Sequence, residues 1–228
     1  MRGQRTNTPP HEKREAAMIE LPSVERVGLV TSETEREAVF RLRYEVYVEE
    51  LGRDRDVADN ARRRLRDRLD RDDARIYAAF AGGRAVATVR TNYLRDGEVG
   101  EYEEHYALRE LSGRERWASS ITTRLMVAPA YRRSPVTSAL CRAIYRDGMA
   151  MGIESNYVDC DPRHEPFFSA LGFRVVRQGF HHERYGEGKV MRLDVLDYEH
   201  LERVRSPFRR DLRAHLRSLG SPGEVSRA

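Results

Sequence analysis

The sequence predicts a single mixed α/β domain, a central sheet flanked by helices, and three observations support this. Runs rich in β-branched and apolar residues, such as RIYAAFA, ITTRLMV and SNYVDCD, alternate with segments of helical period. Two strand-like runs, RIYAAFAGG and GRAVATVRTNYL, meet at Gly82-Gly83, which reads as a tight hairpin turn. The stretch ITTRLMVAPAYRRSPVTSAL, 121–140, reads as a strand, a turn and the start of a crossover helix. A chain of 228 residues is long enough for one sizeable domain of this kind.

Residues 1–22 lack an apolar core and read as a disordered tail rather than a secretory signal. The domain is expected over 23–197. VERVGLVTS, 24–32, gives a first strand that ends in a helix cap. From Glu33 to Leu51 the period is helical and the apolar surface is wide, which predicts a largely covered helix. Residues 52–73 are a mixed-sign charge run, expected to form a solvated loop or, less simply, a lid over a site. After the hairpin, 101–111 has helical spacing, and 121–129 is a strand closed by Pro129. The following helix ends near Gly152. A strand over 155–161 comes next, then a short helix stopped by Gly172 and the strands FRVV and KVMRLDVL. In 198–228 arginine and leucine recur at helical spacing, which predicts a surface helical extension and a tail.

Composition narrows the function classes. No run approaches the roughly 20 apolar residues of a membrane span, and Cys141 and Cys160 lack metal-ligand spacing or a disulfide framework. A reduced, cytoplasmic setting without a resident metal or tightly bound cofactor is expected. The formal charge is +4, and Lys13 and Lys189 are the only lysines among 41 basic residues. This arginine excess fits either nucleotide bias in the coding sequence or a basic surface for an anionic partner such as a carrier protein, a coenzyme phosphate or tRNA. No basic stripe with interleaved aromatics singles out nucleic acid.

The loop after the central strand has the chemistry of an anion site. Ser134 is expected to cap the helix, with Pro135 as its first residue. The amides of Val136, Thr137 and Ser138 would then face an anion at the positive end of the helix dipole, helped by Arg132 and Arg133. Arg90 and Arg124 fall within strands, where an arginine calls for a carboxylate or phosphate partner, whether a ligand or an internal salt bridge. Asp159, Asp161 and His164 cluster at the end of the strand over 155–161, and Asp161-Pro162 also fits a turn and helix cap. Alternation sets Cys160 on the opposite side from the two aspartates, where a buried, inert thiol is expected.

Val127, Pro129, Tyr131, Arg132 and Leu140 form a pattern that resembles the acyl-donor loop of GNAT acyltransferases. DPRHEPFFSALGF, 161–173, resembles the end of the same fold. LRYEVYVEELG, 42–52, is similar to the first helix shared by N-acyl amino acid synthases and acyl-homoserine-lactone synthases, and the former branch is the nearer one. The resemblance covers about residues 30–200. It implies an N-acyltransferase with a phosphopantetheine thioester donor, carried by acyl carrier protein or CoA, and a small amine acceptor that bears a carboxylate. It implies that backbone groups of Leu125, Met126 and Val127 pair with the pantetheine amides, and that strands 121–128 and 155–161 splay around the thioester. It also implies an acceptor site near Arg43 and Tyr47, to which Arg90 and Arg124 are added as candidates on their strand positions, and Arg43 or Arg124 is expected to hold the carboxylate. Asp161 or His164 would take the amine's proton.

Several positions depart from the family pattern. Pro135 and Thr137 stand where the donor loop has glycine, and Arg133 replaces another glycine. Close approach to a diphosphate is harder without them, which favours a carrier-borne donor with one phosphodiester. Phe168 stands where many GNAT enzymes have the tyrosine that protonates the leaving thiolate. Ile121 and Arg53 replace an acid and a tryptophan of the homoserine-lactone synthases, which argues against lactone production. Alternatives are an aminoacyl-tRNA donor and a non-catalytic binding module of the same fold.

Overall fold

The computed structural model describes residues 22–182 and 186–220. Most of the tail expected over 1–22 and the end of the extension, 221–228, lie outside the described residues. Pro22 is described, and its carbonyl accepts the Tyr131 hydroxyl at 2.9 Å.

Strand β1, Arg26–Leu29, leads into α1, Glu33–Arg43, through Ser32, whose hydroxyl accepts the Glu35 amide. The helix continues over Tyr44–Glu50 in a wider π-helical winding. The hairpin forms as expected. β2, Arg75–Ala81, and β3, Arg84–Tyr93, turn at Gly82 and Gly83, with φ of 55° and 70°. Both angles lie in the left-handed region that a two-residue hairpin turn of this twist requires.

Three local expectations change. First, 101–111 is not one helix. It forms α2, Tyr102–His105, and a separate turn over Leu108–Glu110, broken by Ala107 at φ 55°. Second, α3, Gly113–Trp117, was not expected. Ser112 and Glu115 form a reciprocal capping box that holds it. Third, 53–73 is exposed over much of its length but anchored to the domain. It has irregular backbone, yet Leu65 and Leu69 are buried, as are Asp54 and Asp70.

β4, Ser119–Val127, is followed by α4, Val136–Ala150, β5, Ser155–Cys160, and α5, Glu165–Leu171. β6, Arg174–His182, and β7, Gly186–Asp194, complete the sheet. The extension forms α6, Tyr198–Arg203, and α7, Arg209–Gly220. The sheet runs β1-β2-β3-β4-β5-β7-β6, antiparallel except for the β4–β5 pair. Helix α1 covers one face through Val39, Phe40 and Leu42 against Ile76, Ala78 and Met126. Helix α4 covers the other through Val136 and Leu140 against Tyr77, Ala79 and Val127. The extension packs beside α4, with Phe208 and Leu212 in the core.

Gly172 ends α5 at φ 112°, and a Cβ there would stand 2.4 Å from Leu201 Cδ2 and 3.2 Å from Leu193 Cδ1. Gly172→Ala therefore meets both a disfavoured angle and a filled space. The expected loss exceeds about 1 kcal/mol, read as a lower urea midpoint with an unchanged slope.

Candidate active site

The parallel pairing of β4 with β5 lasts three rungs, from Ser119↔Ser155 to Ile121↔Tyr157. Beyond Ile121 the strands part, so the β5-facing edge of β4 is open as far as Val127. β4 also carries a bulge there. Thr88 pairs with Met126 and Arg90 with Thr123, so Arg124 and Leu125 together oppose Val89. Arg124 takes φ 58°, a left-handed angle that costs an arginine about 1 kcal/mol or more. This turns the chain at the point where the strands separate.

A polar cluster fills the α1 face at that point. Arg43 Nη1 donates to both oxygens of Asp70, at 2.7 and 2.8 Å. Arg90 pairs with Asp70 at 2.9 Å and with Asp67, and donates to the Thr123 hydroxyl. Arg124 pairs with Asp67 at 2.9 Å and with Asp54 at 3.0 Å, and its guanidinium lies 4.9 Å from the centre of the Tyr47 ring. Burial raises the Asp67 and Asp70 pKa values, but the neighbouring arginines outweigh it and hold both carboxyls below the usual carboxylate range. Burial lowers Arg43, whose Nε and Nη2 are buried without a hydrogen bond.

This changes how the four expected acceptor residues are understood. Arg43 and Arg90 are fully enclosed, and Arg43 is occupied by an aspartate from the 53–73 segment, Arg90 by two of them. Arg124 and Tyr47 keep partial exposure, and Arg124 is already paired to two aspartates. Composition gave no sign of these partners, because Asp54, Asp67 and Asp70 lie inside a charge run that reads as solvated.

Beside the cluster, Asp159 on β5 accepts the buried Tyr106 hydroxyl. Burial and the Asp159 charge push the neighbouring Tyr102 phenol up, while Arg124 and Arg90 act in the opposite direction. Tyr102 packs edge-on against Tyr106, with ring centres 5.2 Å apart, so Asp159 and the two tyrosines lie together on the β5 side of the parted strands, with Arg124 on the β4 side. Asp161 is placed differently. Its carboxylate caps the following turn by accepting the Arg163 amide at 2.9 Å, and it pairs with the Arg163 guanidinium at 2.8 Å. Those bonds hold it well below the usual range, which makes it a weak base. His164 is exposed at the start of α5.

The donor loop keeps its position but not all its expected contacts. Pro135, rather than Ser134, is the N-cap of α4, and the Ser134 hydroxyl accepts the Val136 amide at a long 3.4 Å. The amides of Val136, Thr137 and Ser138 stand in the first turn, where a helix lacks internal acceptors. Arg132 is engaged elsewhere. Its Nε donates to the Val127 carbonyl at 3.0 Å, and both its terminal nitrogens meet Glu50 at 2.6 Å. Arg133 is exposed and makes no ion pair among the described residues.

On the α4 face, an apolar cavity of about 50 Å³ opens between the parted strands. Leu125 and Val158 line it near the splay, Cys141, Ile144 and Phe168 along its walls. Phe168, in the position of the family's tyrosine, packs edge-on against Phe173 with ring centres 5.6 Å apart. Burial pushes the Cys141 thiol up to about 12 and, with nearby Asp159, the Cys160 thiol up to about 11. Neither is a nucleophile at neutral pH. Among the described residues no cluster could hold a metal, and no helix is long and apolar enough to cross a membrane.

Asp70→Ala would leave Arg43 and Arg90 buried with a partner missing, a loss of about 3–5 kcal/mol in urea unfolding. The depressed Asp67 and Asp70 carboxyls stabilise the fold fully above the unfolded carboxylate value of about 3.9. That stability is lost as pH falls through their lower folded values. Stability should hold down to about pH 4 and fall below it, with a shallower fall in Asp67→Asn.

The profile of the N-acyl amino acid synthase FeeM family matches residues 38–194. No curated protein sequence matches the chain. Among solved structures, the CoA-dependent acyl-homoserine lactone synthase MesI is 23% identical with TM-score 0.61, over 88% of this chain and 98% of that one. The N-acyl amino acid synthase FeeM from uncultured soil microbes is 17% identical with TM-score 0.60, over 75% and 91%. An acyl-CoA N-acyltransferase from Pseudomonas aeruginosa is 17% identical with TM-score 0.55, over 75% and 99%. The open seven-stranded sheet has the GNAT fold of these neighbours, and with the profile spanning most of the chain, the protein belongs to the N-acyl amino acid synthase FeeM family and is a GNAT-type N-acyltransferase.

Proposed function

We propose that this protein moves an acyl group from a phosphopantetheine thioester to the amine of a small acceptor, with acyl carrier protein as the preferred donor. One observation carries the reading. The parted strands have an apolar cavity on one face and, on the other, Asp159 with Tyr106 and Tyr102 on the β5 side and Arg124 at the β4 bulge.

The pantetheine arm lies along the open edge of β4, where backbone groups of Leu125 and Met126 pair with its amides. The Val127 carbonyl already accepts Arg132, so its amide is the group that remains for the donor. The acyl chain enters the cavity and the thioester carbonyl stays at the bulge. The acceptor amine approaches from the polar face and gives its proton, directly or through water, to Asp159. The nitrogen attacks the carbonyl carbon, the C–N bond forms, and the C–S bond breaks. The sulfur leaves as thiolate, because Phe168 offers no proton, and the proton that the attacking nitrogen still carries passes to that thiolate directly or through water. Cytoplasmic carrier proteins supply donors of this chemistry.

Two observations support a carrier donor over CoA. Arg132 is committed to Glu50, and Pro135 caps α4 without an N–H of its own. The remaining grip, the Thr137 and Ser138 amides, Arg133 and a Val136 amide held only by its long bond to Ser134, suits one phosphodiester better than the three phosphates of CoA. The acceptor is less restricted than the resemblance implied. The three clustered arginines are matched by three aspartates, so an acceptor's ammonium finds Asp159 while its carboxylate finds no unmatched arginine there.

The decisive assay incubates the protein with labelled acyl carrier protein and, in parallel, the matching acyl-CoA, each with pooled amino acids, and follows the acyl group by mass spectrometry. Carrier-dependent N-acylation is expected. Transfer from CoA alone overturns the donor assignment, and transfer from neither overturns the reading. Within an active system, Asp159→Asn should lower kcat by about 10²–10⁴ with little change in donor KM. Asp161→Asn should leave kcat within a few fold, and the reverse ranking would restore Asp161 as the base.

A further inference from the structure

We propose that the C-terminal extension closes the far end of the acyl cavity and limits the donor to short acyl chains, with Phe208 as the residue that sets the limit. The inference rests on the acyltransferase reading and deepens it.

The residues that line the cavity place Phe208 at the end away from the splay. Leu125 and Val158 stand by the parted strands, whereas Tyr145 reaches Val195, whose amide donates to the Glu154 carbonyl just before β5, at the end where β4 and β5 are still paired, and Phe208 lies against Tyr145. The Phe208 ring stacks on Tyr145, with centres 4.3 Å apart and planes 4° from parallel. Tyr145 is fixed in turn by donating its hydroxyl to the Val195 carbonyl at 2.6 Å. Two polar contacts hold the extension against the cavity walls. The Ser206 hydroxyl donates to the Leu171 carbonyl at the end of α5 and accepts the Phe208 amide. Arg142 on α4 pairs through two hydrogen bonds with Asp211 on α7, at 2.7 and 2.9 Å. Leu212, one turn beyond Phe208, is fully buried.

Size turns this arrangement into a specificity. A cavity of about 50 Å³ is well below the roughly 150 Å³ that holds benzene in a protein core. At roughly 10–15 Å³ of such space for a water-sized group, it admits about four carbons. Truncating Phe208 to alanine adds space on the order of 100 Å³, enough for about three more methylenes. Each buried methylene contributes about 0.8 kcal/mol, or about fourfold in affinity. Cys141 lines the wall, and its burial and inert thiol suit a packing role there.

The test compares wild type, Phe208→Ala, Phe208→Leu and Cys141→Phe. Transfer rates are measured with acyl carrier protein donors from C2 to C12. Binding is measured independently by thermal shift with butyl and decyl thioethers of pantetheine, which cannot react. Wild type should prefer C2–C6 donors and the butyl thioether. Phe208→Ala should move the optimum two to four carbons longer and improve C10 relative to C4 by tenfold or more. Phe208→Leu, which keeps more of the packing, should shift the same way by less. Cys141→Phe should lose transfer from all but the shortest donors. A wild-type optimum at C10 or longer, or an unchanged profile in both folded Phe208 variants, overturns the proposal. If no variant transfers any acyl group but the thioether preference reverses in Phe208→Ala, the cavity limit stands and the transferase reading falls. If neither transfer nor thioether preference responds to Phe208, the cavity limit falls with it.

Discussion

Three arginines from α1, β3 and β4 point into one face of the sheet, and burying them requires three carboxylates. Arg43 and Arg90 are fully enclosed, so each needs a charged partner at hydrogen-bond distance or a cost of several kcal/mol follows. The 53–73 segment supplies Asp54, Asp67 and Asp70. This requirement explains why a chain of irregular backbone and high charge lies fixed over the sheet. It also explains the bulge, since the left-handed Arg124 is held to that face by two ion pairs. Apolar residues of similar volume are often as stable as such a cluster. Stability alone therefore does not account for it, and in the proposed reaction the cluster shapes the polar side of the cleft.

The cluster and the cavity are coupled through β4. The bulge that turns Arg124 toward the aspartates sets Leu125 on the opposite face, where it lines the cavity. One backbone irregularity thus orients both substrates of the proposed reaction. The Arg132–Glu50 pair adds a second link, between the donor loop and the end of the first helical segment. Glu50 is four residues after Val46, which packs against Met126 in the core under α1.

The strand and helix order was legible in the sequence because each signal was local. Gly82-Gly83 marked the hairpin, Ser32 the first cap and Gly172 the end of α5. The donor loop was legible in position but not in its contacts. The acidic partners were not legible, since Arg43, Arg124 and their aspartates lie 27, 57 and 70 residues apart. Local pattern describes such aspartates as solvated. Phe208 was hidden for a related reason. Its helix-rich surroundings alternate arginine with leucine, which looks the same whether the leucines cover a surface or close a core. Asp159 was grouped with Asp161 by sequence, and only the Tyr106 bond and the Arg163 pair separate the two.

The charge balance also bears on how the acceptor arrives. An amine with a high pKa reaches the site as ammonium and must lose a proton before it can attack. Arg43, Arg90 and Arg124 are matched by Asp54, Asp67 and Asp70, so in the proposed reaction Asp159 is the carboxylate that meets the amine where the strands part. That favours entry of the cation and gives its proton a nearby acceptor. An unmatched arginine there would repel the ammonium while attracting an acceptor carboxylate, so a face built to hold a carboxylate would make deprotonation harder. In the proposed reaction, the pairing of Arg124 with Asp54 and Asp67 resolves that conflict in favour of the amine.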